Sequence, residues 1–223
     1  MCTVSYIPVG NGYIFTSNRD EAPGRKTLEP RYRKLDNGHS FYGPVDGEKM
    51  GSWIAKDDRG RLVCLLNGGF EFHKHDPPYR RSRGLILTDA LSHEDFVSFI
   101  QEVELQGVEP FTLILLDELL QVLVWDGENR HHIFLDKNRP HLWSSATLYS
   151  SAEHQKKLSR FERFLESEDI TAETVLDLHG LNQVNNFILD LGFVKTVSIT
   201  QVIHDGRELS LHYYQNIPER MSL

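Results

Sequence analysis

Four times along this chain, a run of β-branched, aromatic and aliphatic residues meets a turn signal and is answered by a second such run. Thr3 to Val9 and Tyr13 to Ser17 flank Gly10-Asn11-Gly12. Trp53 to Ala55 and Arg61 to Leu66 flank the turn from Asp57 to Gly60. Phe111 to Leu116 and Gln121 to Trp125 flank Asp117-Glu118, and Val197 to Ile203 and Glu208 to Tyr214 flank His204-Asp205-Gly206. A short turn commits its two strands to antiparallel pairing. Helical patterns fill the intervals. Ser92 is placed to cap a helix from His93 to about Glu104, with Phe96, Phe99, Ile100 and Val103 at helical spacing. Ala152 to Leu165 aligns Leu158, Phe161, Phe164 and Leu165; Thr171 is placed to cap Ala172 to Leu178, and Asn182 to cap Gln183 to Leu191. Antiparallel hairpins interleaved with amphipathic helices give a layered α+β fold, and two stacked sheets covered by helices suit the count. No repeat, low-complexity tract or Pro/Gly-rich linker divides the 223 residues, which read as one domain over 1–223.

The net charge of -8 and pI near 5.7 argue against nucleic acid or an anionic membrane as the main partner. The basic run Arg80-Arg81-Ser82-Arg83 is explained equally well by a solvated loop. No apolar run reaches the length of a membrane span, and no basic-then-apolar leader is visible. The two cysteines, Cys2 and Cys64, do not make a disulfide framework, so a reducing cytoplasm is the expected location. Cys64 lies in Leu62-Val63-Cys64-Leu65-Leu66 and reads as a core residue.

Cys2 reads differently. Trimming of the initiator methionine would give it a free α-amino group, which titrates near 7.7–8.0, so nucleophile and base would share one residue. If Asn11-Gly12 form a two-residue loop, paired numbers add to 23 and Cys2 faces Glu21. Cys2, Arg19 and Glu21 then share a face of the sheet, and a one-residue slip exchanges the latter two for Asn18 and Asp20. Either way the run Asn18-Arg19-Asp20-Glu21 lands beside the thiol. Arg19 would lower the thiol pKa; Asp20 or Glu21 would hold the α-amino group.

Other constellations carry less. His73-Lys74-His75 with Asp76, and His131-His132, have the residue types of metal ligands but not the spacing of a zinc motif. No metal and no cofactor is therefore expected. Phe70 to Tyr79, with Pro77-Pro78, reads as a mobile loop at a pocket mouth. Gly68-Gly69 is a tight turn without a phosphate-binding fingerprint, and Trp53, Trp125 and Trp143 read as packing residues.

Taken in order, Cys2-Thr3, the literal Asn18-Arg19-Asp20-Glu21, Gly51-Ser52-Trp53-Ile54, Gly60-Arg61-Leu62 leading to Leu66-Asn67, Ser82-Arg83-Gly84 and the Ser/Thr-rich strand from Thr196 to Thr200 resemble the NRDE family of transport and Golgi organisation protein 2-like proteins. That family is similar to N-terminal nucleophile hydrolases of the choloylglycine hydrolase and penicillin V acylase type. The resemblance implies a four-layer αββα sandwich, with Cys2 as nucleophile, Asn18, Arg19, Asp20 and Glu21 as the polar cluster beside it, and Asn67 as an oxyanion donor. Ser145 stands where family members have an asparagine, so a second side-chain donor would be a shorter hydroxyl. The activity implied is cleavage of a linear, non-peptide C–N bond through a thioester, with a small-molecule amide as partner. The alternative is a binding or trafficking protein of the same fold, with haem or an acyl or lipid ligand.

Overall fold

A computed structural model describes residues 2–167, 169–182, 187–215 and 217; the side chains of Cys2 and Ser167 are outside that description. The described residues form two compact units. The first comprises the described residues of 2–24, 138–144 and 148–217; the second comprises 25–137 and 145–147.

The first unit is a five-stranded antiparallel sheet under two helices. Its strands are β1 (Cys2–Val9), β2 (Gly12–Glu21), β10 (His141–Ser144), β11 (Lys195–His204) and β12 (Leu209–Tyr214), in the order β10-β1-β2-β11-β12. Helices α3 (Ser151–Ser167) and α4 (Ala172–His179) lie on one face, where Ile7 and Ile14 meet Phe161, Phe164, Val175, Leu178 and Phe187. Helix α4 begins at the expected cap. The Thr171 hydroxyl accepts from the Thr174 N–H, the Thr174 hydroxyl accepts from the Thr171 N–H, and Gly180 closes the helix at φ 92°.

The second unit is a seven-stranded antiparallel sheet in sequence order, β3 (Thr27–Lys34), β4 (Ser40–Asp46), β5 (Ile54–Asp57), β6 (Leu62–Asn67), β7 (Phe111–Leu116), β8 (Leu120–Trp125) and β9 (Arg130–Leu135). Helices α1 (Arg83–Ser92) and α2 (Phe96–Glu102) bury Ile86, Leu87, Leu91, Phe96 and Phe99 against Val63, Leu65, Leu113 and Leu123. Cys64 is fully buried in β6. The Arg59 and Arg61 guanidinium groups, each paired with Asp57, donate to the carbonyls of Leu91 and His93, where α1 ends. At the other end of α1 two segments touch through glycines. A Cβ on Gly51 would lie 2.6 Å from the Gly84 carbonyl carbon, and the Ser52 N–H donates to the Gly84 carbonyl at 3.3 Å. The segments Gly51-Ser52 and Arg83-Gly84 are therefore in direct contact.

The α+β class read from the sequence holds, and so do the four hairpins. Local readings change in three places. The first turn is Gly10-Asn11, with Val9 opposite Gly12, so paired numbers add to 21 and not 23. Gly10 has φ 55°, the value a type II′ turn needs at its first central residue. A Cβ on Gly12 would sit 1.8 Å from the His204 carbonyl oxygen, which keeps Gly12 in the sheet beside β11. Second, the helix read from His93 starts at Phe96. Asp95 caps it by accepting from the Ser98 N–H, because Ser92 is already the last residue of α1. Third, of the helix read over 183–191, residues 183–186 lie outside the described residues. Residues 187–191 form no helix; Asp190 instead bridges to Lys195.

Candidate active site

Cys2 enters β1 directly opposite Arg19 of β2. The two-residue change in turn register preserves parity, so Arg19 and not Glu21 is the cross-strand partner, while Arg19 and Glu21 still share a face. Arg19 is only 2% exposed. Its guanidinium lies 3.7 Å from the Glu21 carboxylate, an ion-pair distance too long for a hydrogen bond. On its other side Arg19 faces Ser198 of β11, and one row further Ser17 faces Thr200. Residues opposed in an antiparallel pair project to the same face. Arg19, Ser17, Ser198 and Thr200 thus form a buried polar patch on the adjacent strands β2 and β11, next to the backbone position of Cys2 in β1.

Asn18 and Asp20 project the other way, toward α3 and α4, so the four-residue run is divided between the two faces of β2. The Asn18 amide donates to the carbonyls of His179 at 3.0 Å and Phe187 at 2.9 Å. Its Oδ1 meets His179 Nδ1 at 2.5 Å, and Ser5 Oγ meets His179 Nε2 at 2.7 Å. Burial, helped by the charge of Lys157, lowers the His179 pKa to about 3. The ring is therefore neutral, and Nδ1–H donates to Asn18 while Nε2 accepts from the Ser5 hydroxyl. Asn18 ties the end of α4 to β2.

Asp20 is completely buried, and its carboxylate accepts from the hydroxyls of Tyr149 and Thr196, both at 2.6 Å. Burial raises its pKa, against the lowering effect of Lys157 and these two hydrogen bonds. Lys157, from α3, is itself 2% exposed. Its ammonium donates to the Thr3 hydroxyl at 2.5 Å and sits 3.2 Å from the centre of the Tyr149 ring. Lys157 therefore holds the residue next to Cys2, on the face that carries Asp20.

Asn67 ends β6 in the second unit, half-buried, with its backbone opposite Phe111. Its carbonyl accepts from the Ser145 hydroxyl at 2.6 Å, so the serine at the departing position donates to Asn67 backbone. In the same unit His73 and His75 both meet Glu109 Oε1, at 3.2 and 2.9 Å, while Arg83 holds Oε2 at 3.0 Å. His131 pairs with Asp126 and His132 with Gln121. No group of three or more His, Cys, Asp or Glu among the described residues is arranged to hold a metal ion. No helix among them is long and apolar enough to cross a membrane.

A family model described as Transport and Golgi organisation 2 matches residues 1–214. The chain belongs to that family. Comparison with curated protein sequences gives no match. Among solved structures, an arginine-to-leucine variant of the conjugated bile acid hydrolase from Clostridium perfringens is similar, with a TM-score of 0.60 at 10% identity over 99% of each chain. A cysteine-to-alanine variant of the same hydrolase gives 0.58 at 8% identity, covering 97% of this chain and 92% of that one. The Caenorhabditis elegans ortholog of N-acylethanolamine-hydrolyzing acid amidase gives 0.56 at 11% identity, covering 90% and 92%. The chain thus shares the α+β fold of these solved hydrolases.

The sequence pointed to Arg19 because a rare polar run fell opposite Cys2. It pointed to Ser198 and Thr200 only as part of a Ser/Thr-rich strand. Lys157, Tyr149 and His179 carried no local signal, since their roles exist only once α3 and α4 lie on the sheet.

Proposed function

We propose that this family member is an N-terminal-cysteine amidohydrolase that cleaves a linear, non-peptide C–N bond. The observation that carries the reading is the buried Arg19 directly opposite Cys2, within a fold shared with amide hydrolases. After removal of Met1, the Cys2 α-amine takes the thiol proton and the thiolate attacks the amide carbonyl. Arg19 favours the thiolate electrostatically. The tetrahedral intermediate collapses, the C–N bond breaks, and the α-ammonium returns its proton to the departing amine. Water then attacks the thioester, again with the α-amine as base, releasing the acid and the thiol. Lys157, through Thr3, fixes the strand that presents Cys2.

Intact-mass measurement with an acylating probe tests this. Active protein begins at Cys2 and gains one acyl group there, and Cys2→Ser and Cys2→Ala both lose turnover. Unchanged turnover in Cys2→Ala, or undiminished Cys2-dependent turnover in protein that retains Met1, overturns the mechanism. The oxyanion role that the resemblance gives Asn67 has its own test: Asn67→Ala should lower kcat by about 10²–10³.

A further inference from the structure

The second unit carries an open cavity whose lining has no role in the mechanism above. Asn67, Phe111 and Trp125 stand in one row across β6, β7 and β8, at one end of the seven-stranded sheet. Just beyond that row the chain carries two glycines. The Gly68 N–H donates to the Pro110 carbonyl at 3.0 Å, and a Cβ on Gly69 would lie 3.1 Å from the Trp125 carbonyl oxygen. This close approach sets the loop that follows β6 against Pro110 and Asp126. The cavity there is about 330 Å³, within the range of small-molecule sites, and is lined by Phe70, Glu71, Phe72, His73, Pro110 and Asp126.

The lining is aromatic and acidic. Phe70 is 58% and Phe72 73% exposed, so both rings are open to a ligand. The Phe70 ring is held edge-on by His131, with centroids 4.9 Å apart. Glu71 is exposed. Among the described residues no lysine or arginine lines the cavity. Arg83, which donates to the Pro110 carbonyl, has its charge met by Glu109 at 3.0 Å. Asp126 offers charge but few vacant acceptor positions. Its Oδ1 accepts from the N–H groups of Glu128 and Asn129, at 2.8 and 2.7 Å, and its Oδ2 from His131 Nε2–H at 2.7 Å. These bonds, that from Asn129 foremost, hold its pKa well below the usual carboxylate range. His73 Nε2 is committed to Glu109.

Phenyl faces beside carboxylates attract a cation. An anion would meet like charge on Glu71 and Asp126, and an uncharged apolar molecule would desolvate them without a return. The kind of cation follows from the hydrogen bonds. A primary ammonium brings three N–H donors that need acceptors, and Asp126 has its oxygens engaged. A quaternary ammonium brings none, and it presents its charge through methyl groups that lie against aromatic faces. We infer that this end of the second sheet is a binding site for a small quaternary ammonium ion, held on Phe70 and Phe72 with Glu71 and Asp126 balancing its charge. The site does not depend on the hydrolase reading.

Choline and 3,3-dimethylbutan-1-ol share a shape and differ in charge, which makes them matched probes. Each carries three equivalent methyl groups, whose proton resonance moves upfield when they sit over a phenyl ring. Titrated into the full chain near pH 8, where an ordinary imidazole is neutral, choline should give a saturable upfield shift and bind about tenfold more tightly than the alcohol. Glu71→Gln and Phe72→Leu alter exposed side chains and leave the fold intact; each should weaken choline about two- to fivefold. Glu71→Gln should also flatten the salt dependence of binding. Ethanolamine, a primary ammonium, should bind more weakly than choline. Equal affinity for choline and the alcohol overturns the inference. So does the lack of a saturable shift in millimolar choline, an affinity that neither substitution changes, or tighter binding of ethanolamine.

Discussion

Replacing Lys157 with methionine keeps the aliphatic stem and removes only the charge. On the helix-covered face that charge makes a hydrogen bond to Thr3 and a cation–π contact with Tyr149, and it supports Asp20 electrostatically. Breaking a buried pair by deleting one partner costs about 3–5 kcal/mol, and a desolvated cation–π contact adds up to about 2 kcal/mol. Part of this is recovered, because Asp20 can take up a proton. A net loss of about 3 kcal/mol near pH 7.5 follows, and for a chain of this size it lowers Tm by about 6–12 °C. The pH dependence is diagnostic. Burial already raises the Asp20 pKa, and removing Lys157 raises it further. A carboxyl whose folded pKa lies above its unfolded value of about 3.9 destabilises the protein above the folded pKa and ceases to do so below the unfolded one. The deficit of Lys157→Met should therefore shrink as urea melts are moved from pH 7.5 toward pH 4.5. Adding Asp20→Asn to Lys157→Met should cost at least about 2 kcal/mol less than the two single changes summed. Equal deficits at both pH values, together with strictly additive single mutants, would refute the electrostatic account.

Other expectations concern neighbouring groups. Asn18→Ala removes a residue that bonds the Phe187 carbonyl and both the ring and carbonyl of His179, so urea titration should show a loss of about 2–4 kcal/mol. His179 is held neutral with a pKa of about 3, whereas unfolded it titrates near 6.5. The unfolded chain therefore binds the extra proton in between, and stability should fall as pH drops from about 6.5 toward 3. His179→Gln should flatten that slope by about one proton, and an unchanged slope would contradict the assignment. Arg19→Ala should slow iodoacetamide alkylation of Cys2 near pH 7, read by mass spectrometry, and alkylation at the parent rate would remove Arg19 from the thiolate argument. Gly51→Ala forces a Cβ against the Gly84 backbone and should lower Tm by several degrees, whereas the exposed Gly24, with nothing within 4 Å of its Cβ position, should tolerate alanine.

What could be read in the sequence divides along physical lines. The four hairpins were visible because turn residues and β-branched runs act locally. The register of the first was not, since Gly10-Asn11-Gly12 offers two alternative two-residue loops, each with a glycine, and the structure takes the one with Gly10 at positive φ. Strands β3 and β9 escaped notice because they are edges. Thr27–Lys34 carries charges and a proline, Arg130–Leu135 is largely exposed, and neither shows the alternation of a half-buried strand. Helix α1 was hidden by a basic run, a glycine in its first turn and an N-cap serine that makes no side-chain hydrogen bond. Lys157 lies in His154-Gln155-Lys156-Lys157, which reads as a solvated face; tertiary packing alone turns it inward.

The order of strands in the first sheet has a consequence for how the protein is made. Its central strand β2 and that strand's neighbour β1 come from residues 2–21, while β10, β11 and β12 come from residues 141–214. On the ribosome the first hairpin emerges at once and then waits. Residues 25–137 supply all seven strands of the other sheet in sequence order, each pairing with the one just synthesised. That half pairs its strands between sequence neighbours and can form early. The waiting hairpin has two unpaired edges and is too small to be stable alone. Arg19 gains its Ser198 neighbour, and Thr3 its lysine, only after more than a hundred further residues have been added. The Cys2–Arg19 pair thus forms with the first hairpin, while the row it belongs to is completed by Ser198 only near the end of synthesis, which makes assembly of the sheet the last step in enclosing that row.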